Sequence, residues 1–423
     1  PDEFIVKEGK DKFLALPEIA VFDWRLDKYR EATDEQKERQ YNQILECIVA
    51  ESNLIARERM AEKLAKALEV KHETVLKEVE RLDRIRSGKL NISVAEVLKE
   101  ENELVNAIEV FEERAWSRSG RITGYSFGFP IIDEKLDGMQ NCLYLLAGRP
   151  GYGKTAIMLQ LAYNILNANE NVACLVFSVD DNMWKILPRL ISIESGLPIS
   201  YGVNPKFKIE ESEMSEEEKV KIYKCRKDAV DRLKELSGRL FVRDANYGRT
   251  VEALERLIQV CKAATDKNLI VFADNFHKIS FEKTFSERRD RYSQLSEELK
   301  RIINIYNLPL FCVAELKKHD TIRPVPDDVK ESIDIAFDCD VLILLHNQVK
   351  YDEQHNRFST TEGLYHIQLD GVKLPILEFH VSKTKTSDFS GILFYKFYPA
   401  MSRIEECTIE EASMARKAVM KLL

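Results

Sequence analysis

Between residues 27 and 90 the apolar side chains recur three and four positions apart, the repeat of amphipathic helices. Ile44, Cys47 and Ile48 mark one stripe, Ala56, Met60, Leu64 and Leu68 a second, and Val75, Val79, Leu82 and Ile85 a third. Three such stripes in succession predict a small helical bundle. Residues 91–122 read as a linker: SGKLN overlaps its start, one charged helix (SVAEVLKEENELVNAIEVFEERAW) follows, and then the polar SRSGRITGYSFG begins.

From about residue 125 the period changes. Short apolar runs alternate with amphipathic helices: CLYLLA then TAIMLQLAYNIL, VACLVFSV then a long helical stretch, RLFVRD then TVEALERLIQVCKAA, LIVFAD then RYSQLSEELKRIINIY. LPLFCVAEL and DVLILLHN follow. This rhythm predicts a mainly parallel sheet covered by helices on both faces. The last strands, LYHIQLDGVKLPILEFHVSK and GILFYKFYP, alternate with period two, and Asp370-Gly371 suits a tight turn. The fold class expected is therefore α/β, with an antiparallel C-terminal edge and a helical N-terminal domain.

With 423 residues, 44% hydrophobic and 32% charged, the chain has the composition of a soluble protein of two or three domains. No apolar run reaches the ~18 residues of a membrane span, so no membrane partner is expected. The start, PDEFIVKEGKDK, has neither Met nor a signal core and reads as the interior of a longer, unsecreted protein. A net charge of −8 argues against a broad basic surface for nucleic acid, though a few lysines in an enclosed channel would suffice to grip a strand. The eight cysteines stand singly, without CxxC, which disfavours zinc and disulfides and fits a reducing cytoplasm.

The chemistry is concentrated at Gly148, Arg149, Pro150, Gly151, Tyr152, Gly153, Lys154 and Thr155, with Ala156 opening the next helix. This is G-x-x-x-x-G-K-[ST] between a strand and a helix. Its glycines allow backbone N–H groups to turn around the phosphates of ATP, and the helix start adds favourable partial charge. Lys154 reaches the β and γ oxygens, and the Thr155 hydroxyl serves Mg2+. A second metal-side group is needed at a neighbouring strand end, and LIVFAD supplies Asp274. For orienting the attacking water, VACLVFSVDD offers Asp180 or Asp181.

These residues in their order resemble the replicative hexameric DNA helicases of the DnaB type and the bifunctional primase-helicases of phages. The resemblance covers about the last 300 residues. It runs through GYSFGFPIIDEKLDG, the phosphate loop, FSVDD, LIVFADN, VAELKK, RPVPDDVKESIDIAFDCDVLILL and HVSKTKTSDFSG. It implies a RecA-like P-loop core over 123–423, a homo-oligomeric ring (a hexamer) and translocation on single-stranded DNA. PDEFIVKEGKDKFLAL resembles the tail of a DnaG-type primase core (1–26), and the helices of 27–90 are similar to the domain that follows it.

The resemblance also assigns roles, and this chain departs from the family at several of them. Asp180 stands at the water-activating position, where the family has Glu. Glu315 stands where it has a γ-phosphate-sensing Gln. Lys383 and Lys385 replace a Lys-then-Arg pair that reaches into a neighbour's site; as bare sequence they also read as charges on an edge strand. In the DNA loop Lys330, Glu331 and Ser332 are followed by Ile333, with Lys for Arg and Ile for Gly. The catalytic set expected is thus Asp180, Asp274, Glu315, Lys383 and Lys385. Two other readings stay open: a RecA-like ATP switch with slow, DNA-independent hydrolysis, and an assembly protein whose helical front recruits a DNA polymerase, loader or other replisome protein.

Overall fold

The computed structural model describes residues 21–31, 34–51, 53–68, 70–87, 105, 108–109, 111–112, 115–116, 121–283, 288–317, 323–330, 333–355, 366–369 and 372–422. The chain divides into two compact units, Pro1–Ser117 and Arg118–Leu423. The expected helix of 91–122 and the Asp370-Gly371 turn lie for the most part outside the described residues, as do Glu331 and Ser332.

In the first unit four helices, α1 (Val21–Glu31), α2 (Asp34–Ala50), α3 (Leu54–Leu68) and α4 (His72–Ser87), surround one core. Ile44, Ile48, Leu64, Val75 and Val79 are buried there, with Cys47, Met60, Leu68 and Leu82 packed against them. Helix α1 runs across the expected junction at 26, because Phe22 and Leu26, one turn apart, bury into that same core.

The second unit is built on a ten-stranded sheet. Its strands are β1 (Leu143–Gly148), β2 (Val172–Ser178), β3 (Leu240–Asp244), β4 (Asn268–Asp274), β5 (Leu310–Glu315), β6 (Val341–Asn347), β7 (His366–Leu369), β8 (Val372–Thr384), β9 (Gly391–Tyr398) and β10 (Arg403–Glu406). They lie in the order β10-β9-β8-β6-β1-β5-β4-β2-β3, with β7 paired to β8. Strands β1 to β6 are mutually parallel and β7 to β10 form the antiparallel edge.

Alternation along each strand feeds two cores. Tyr144 and Leu146 face helices Pro130–Leu136, Lys154–Ala168 and Met183–Ser195, whereas Leu143, Leu145 and Ala147 face helices Val251–Ala264 and Arg288–Tyr306. Because both faces are covered, β1 is buried at all six positions and reads as a continuous apolar run. Among the described residues no helix is long and apolar enough to cross a membrane.

Strand β8 lies between β6 and β9, but β9 pairs with it only as far as Val381, so Lys383 has a strand neighbour on the β6 side alone and Lys385 follows the end of β8. The pairing of β8 with β6 shifts register between Leu342 and Ile343, opposite Lys383 and Val381, leaving Ser382 as an extra residue. Such a bulge re-aims the side chains beyond it. Strand β10 and the helix Ile409–Leu422 had no expectation from the sequence; the helix packs Ala415 and Val419 against Ile376 and Phe394 of the antiparallel edge.

Candidate functional site

At the carboxyl ends of the parallel strands, β1 delivers the loop 148–153 to the helix Lys154–Ala168. Pro150 and Gly151 form the exposed crest of the loop. Its two bulky residues are anchors: Arg149 is buried over the Tyr351 ring at 5.2 Å, and Tyr152 is buried edge-on against His346 at 6.2 Å. Gly153 is required by its surroundings. Its φ is +98°, and a Cβ there would lie 2.9 Å from Cζ of the buried Phe397. Gly153→Ala is expected to cost about 1–3 kcal/mol of stability from backbone strain alone and to weaken nucleotide binding, read by thermal unfolding with and without ATP.

Lys154 donates to the Arg149 carbonyl at 3.1 Å. Burial holds its pKa below the ordinary lysine range, against the pull of Asp274, Glu315 and Asp180. The three carboxylates therefore surround this ammonium from the ends of β4, β5 and β2. The Thr155 hydroxyl donates to Asp274 Oδ2 at 2.6 Å across 119 residues of sequence. Burial, with the charges of Asp180 and Asp181, raises the Asp274 pKa, while the Thr155 hydrogen bond and Lys154 oppose the rise. A cation beside Asp274 would relieve that strain. Among the described residues no group of three or more His, Cys, Asp or Glu could hold a metal unaided. Thr155 and Asp274 instead make the sparse oxygen set that suits Mg2+ completed by phosphates and water.

Two neighbouring acids have different employment. Asp181 is committed to the following helix, accepting from Arg189 at 2.9 Å and from Lys185 at 3.4 Å. Asp180 faces the end of β4, where it pairs with Lys278 and accepts from Asn275 at 3.5 Å. Of the pair, Asp180 is the one whose charge acts on Lys154. Glu315 ends β5 and pairs with Lys330 at 3.1 Å. Burial pulls its carboxyl upward, but the Lys330 hydrogen bond and the charges of Lys330 and Lys154 hold it below the usual range. Ile333 opens the short helix Ile333–Asp338.

Lys383 and Lys385 are not in this group. Strand register sets Gly148 beside Leu345, and Leu345 opposite Phe379, whereas Lys383 stands opposite Leu342, three residues back along β6 and ~10 Å towards the amino ends of the parallel strands. There Lys383 Nζ caps the carbonyls of Ala336 and Phe337. Lys385 Nζ pairs with Asp340 at 2.9 Å, and that hydrogen bond raises its pKa. Asp340 also accepts from the Leu143 amide at 3.0 Å. A recess of about 650 Å³ opens beside it, lined by Thr123, Tyr125, Gln140, Asp340 and Lys385 among others. The sheet thus carries the phosphate loop at one end and the two lysines at the other.

Sequence comparison decides the family. Residues 124–397, more than half of the chain, match the model of the DnaB-like helicase C-terminal domain. The chain belongs to this DnaB-like family. Among its relatives, the replicative DNA helicase DnaB of Helicobacter pylori (strain ATCC 700392 / 26695) is 25% identical over 330 residues, covering 73% of this chain and 64% of the relative. The replicative DNA helicase DnaB of Rickettsia bellii is 27% identical over 294 residues, covering 64% and 55%. The chain thus spans less than two thirds of the length of these relatives. A solved ATPase domain shares the fold at a TM-score of 0.60 and 20% identity, covering 72% of this chain and 99% of that one. A DnaB-like replicative helicase, solved in a study of its interactions with primase, has a TM-score of 0.57 and 19% identity, covering 89% and 81%. The RecA-like fold of the DnaB-like domain is therefore shared.

Behind the loop lies a polar cluster for which the sequence held no motif. The buried Glu378 carboxylate takes both oxygens to Arg323, at 2.9 and 3.0 Å, and also accepts from His380 at 2.7 Å. His346 donates through Nε2 to Gln348 Oε1 at 2.9 Å. Burial foremost lowers the His346 pKa to about 4, with Arg323 and His380 adding to the drop and Glu378 and Gln348 opposing it. A histidine neutral in the fold but protonated when unfolded stabilises the protein fully above its unfolded pKa of ~6.5 and loses that contribution as pH falls toward 4. Between those limits the loss is about 3 kcal/mol. Thermal unfolding against pH is expected to show this drop, and His346→Leu is expected to flatten it.

Proposed function

We propose that this chain is the ATP-driven motor of a replicative DNA helicase, assembling as a ring and translocating on single-stranded DNA. The observation that carries the reading is the separation of Lys154, Thr155, Asp274 and Asp180 from Lys383 and Lys385 at opposite ends of one sheet. A site that needs both sets is completed only by a second copy. Head-to-tail repetition of that contact closes into a ring, and a hexamer accords with the family resemblance.

In this reading the phosphate-loop amides and Lys154 hold ATP, and Asp180 orients the attacking water. Thr155 and Asp274 would hold Mg2+, which would supply charge neutralisation to the phosphates. Lys383 and Lys385 of the neighbouring copy stabilise charge developing on the transferred phosphoryl group. Glu315 lies against the γ-phosphate, and Lys330, Glu331 and Ser332 meet the DNA backbone, where lysines bind without regard to sequence. The front helices belong to a primase-like segment and make the chain part of a primase-helicase. A DNA polymerase or another replisome protein is the partner this front would meet.

A slow nucleotide switch is the second reading, favoured by the internal pairing of Asp180 with Lys278, Glu315 with Lys330 and Lys385 with Asp340. Steady-state ATP hydrolysis with and without single-stranded DNA separates the two. The motor reading expects strong stimulation by DNA, and a slow rate indifferent to DNA would leave the switch.

A further inference from the structure

The turn that follows Asp274 touches both ends of the proposed machine. Asn275 and Lys278 hold Asp180, while His277 reaches the other way. His277 Nδ1 lies 3.2 Å from the Glu315 amide and Nε2 lies 2.7 Å from the Lys330 carbonyl. An amide can only donate and a carbonyl can only accept. The ring is therefore the neutral Nε2–H form, with Nδ1 bare. It is almost buried, packed edge-on against Phe276 and Tyr292, both at 5.4 Å. Its own carbonyl accepts from Arg291 at 3.3 Å and Tyr292 at 3.4 Å, which ties the turn to the helix Arg288–Tyr306.

Glu315 and Lys330 also face each other where β5 continues past its end. The Lys330 amide donates to the Glu315 carbonyl at 3.0 Å, Leu316 bridges Val329, and the Lys317 amide donates to the Asp328 carbonyl at 2.7 Å. Their side-chain ion pair is partly solvated, with side-chain exposures of 24% and 41%, and such pairs hold weakly. The two imidazole bonds are shielded, and one rigid ring makes both. The Lys330 amide already joins the Glu315 carbonyl at one point, about which the two backbones would hinge; with the His277 ring as a second link, displacing the Glu315 backbone carries the Lys330 backbone with it.

We propose that His277 is a positioning residue that couples the nucleotide state at Glu315 to the strand-binding segment at Lys330. This rests on the reading that Glu315 lies against the γ-phosphate and Lys330 against single-stranded DNA. The role needs an acceptor and a donor on one side chain, so glutamine can substitute for histidine and leucine cannot.

The test is the affinity of the full chain for a fluorescent oligo-dT, by anisotropy, with and without Mg2+ and a non-hydrolysable ATP analogue. The wild-type affinities in the two states are expected to differ by roughly 5–150-fold, the usual span of such coupling. His277→Leu is expected to bring that ratio to within about twofold of one, and His277→Gln to restore most of it. A wild-type ratio in His277→Leu, or a His277→Gln variant as uncoupled as His277→Leu, would overturn the proposal alone. A wild-type protein without any ratio would overturn the proposed function and this inference with it. Should His277→Leu fail to fold by circular dichroism, His277→Asn replaces it: its shorter amide cannot span both partners, so an unreduced ratio would count against the coupling.

Discussion

Lys154→Ala is expected to lower ATP turnover by about 10²–10³-fold, the usual effect of removing one preorganised charge from a phosphoryl or oxyanion site. The loss follows from the neighbours of this ammonium. Asp274, Glu315 and Asp180 all act on it electrostatically, so without it three carboxylates would face the phosphates with one cation fewer. ATP binding should weaken along with turnover, because the charge interacts with the ground state as well as the transition state. Stability should fall as well: the buried Asp274 loses its compensating cation, so the melting temperature without nucleotide is expected to drop. Hydrolysis assays, binding of a fluorescent ATP analogue and a thermal melt check these three statements. A Lys154→Ala protein that hydrolyses ATP at the wild-type rate would remove the site from the loop 148–155.

Lys385→Ala is expected to lower turnover by a similar factor, but in a neighbour's site. The Lys385 amide bonds the Asp340 carbonyl, five residues before the level of Gly148 on β6, and those ~16 Å keep this lysine from its own phosphate loop. The decisive form of the experiment mixes two inactive proteins. In a random equal mixture, about a quarter of interfaces join the intact loop of a Lys385→Ala subunit to the intact lysine of a Lys154→Ala subunit. Activity is expected to return at those interfaces. No recovery on mixing would place Lys385 outside catalysis. Lys385→Arg should raise turnover by at least about tenfold, since a planar guanidinium stabilises the transferred phosphoryl group better than an ammonium.

The parallel core was legible because its strands are short, apolar on both faces and separated by helices of clear period. The antiparallel edge was legible from its period of two. β10 was not, because RIEE alternates too briefly, and its edge is satisfied instead by Gln160, which exchanges hydrogen bonds with the backbone of Ile404. The phosphate loop was readable because its chemistry depends on local backbone geometry, and the same eight residues supply it wherever they stand between a strand and a helix. Asp274 was readable because the end of a strand is a position that the apolar run itself marks.

Other features depended on distance in the chain. The sequence offered Asp180 and Asp181 alike; the structure gives them different partners, Arg189 of the following helix for Asp181 and Lys278 beyond β4 for Asp180. The sequence placed a carboxylate at Glu315 where the family has Gln; only the fold showed that Lys330, 15 residues on, makes it half of an ion pair. No local pattern marks His277, whose two partners are 38 and 53 residues away. Nor does any mark the Arg323–Glu378 pair, 55 residues apart. By itself the sequence determined the fold class, the strand–loop–helix setting of the phosphate-loop motif and the family, because periodicity and backbone-driven motifs are written in consecutive residues. The tertiary structure alone decided which charges meet and which end of the sheet each faces, because those are set by strand order and register, which neighbouring residues do not encode.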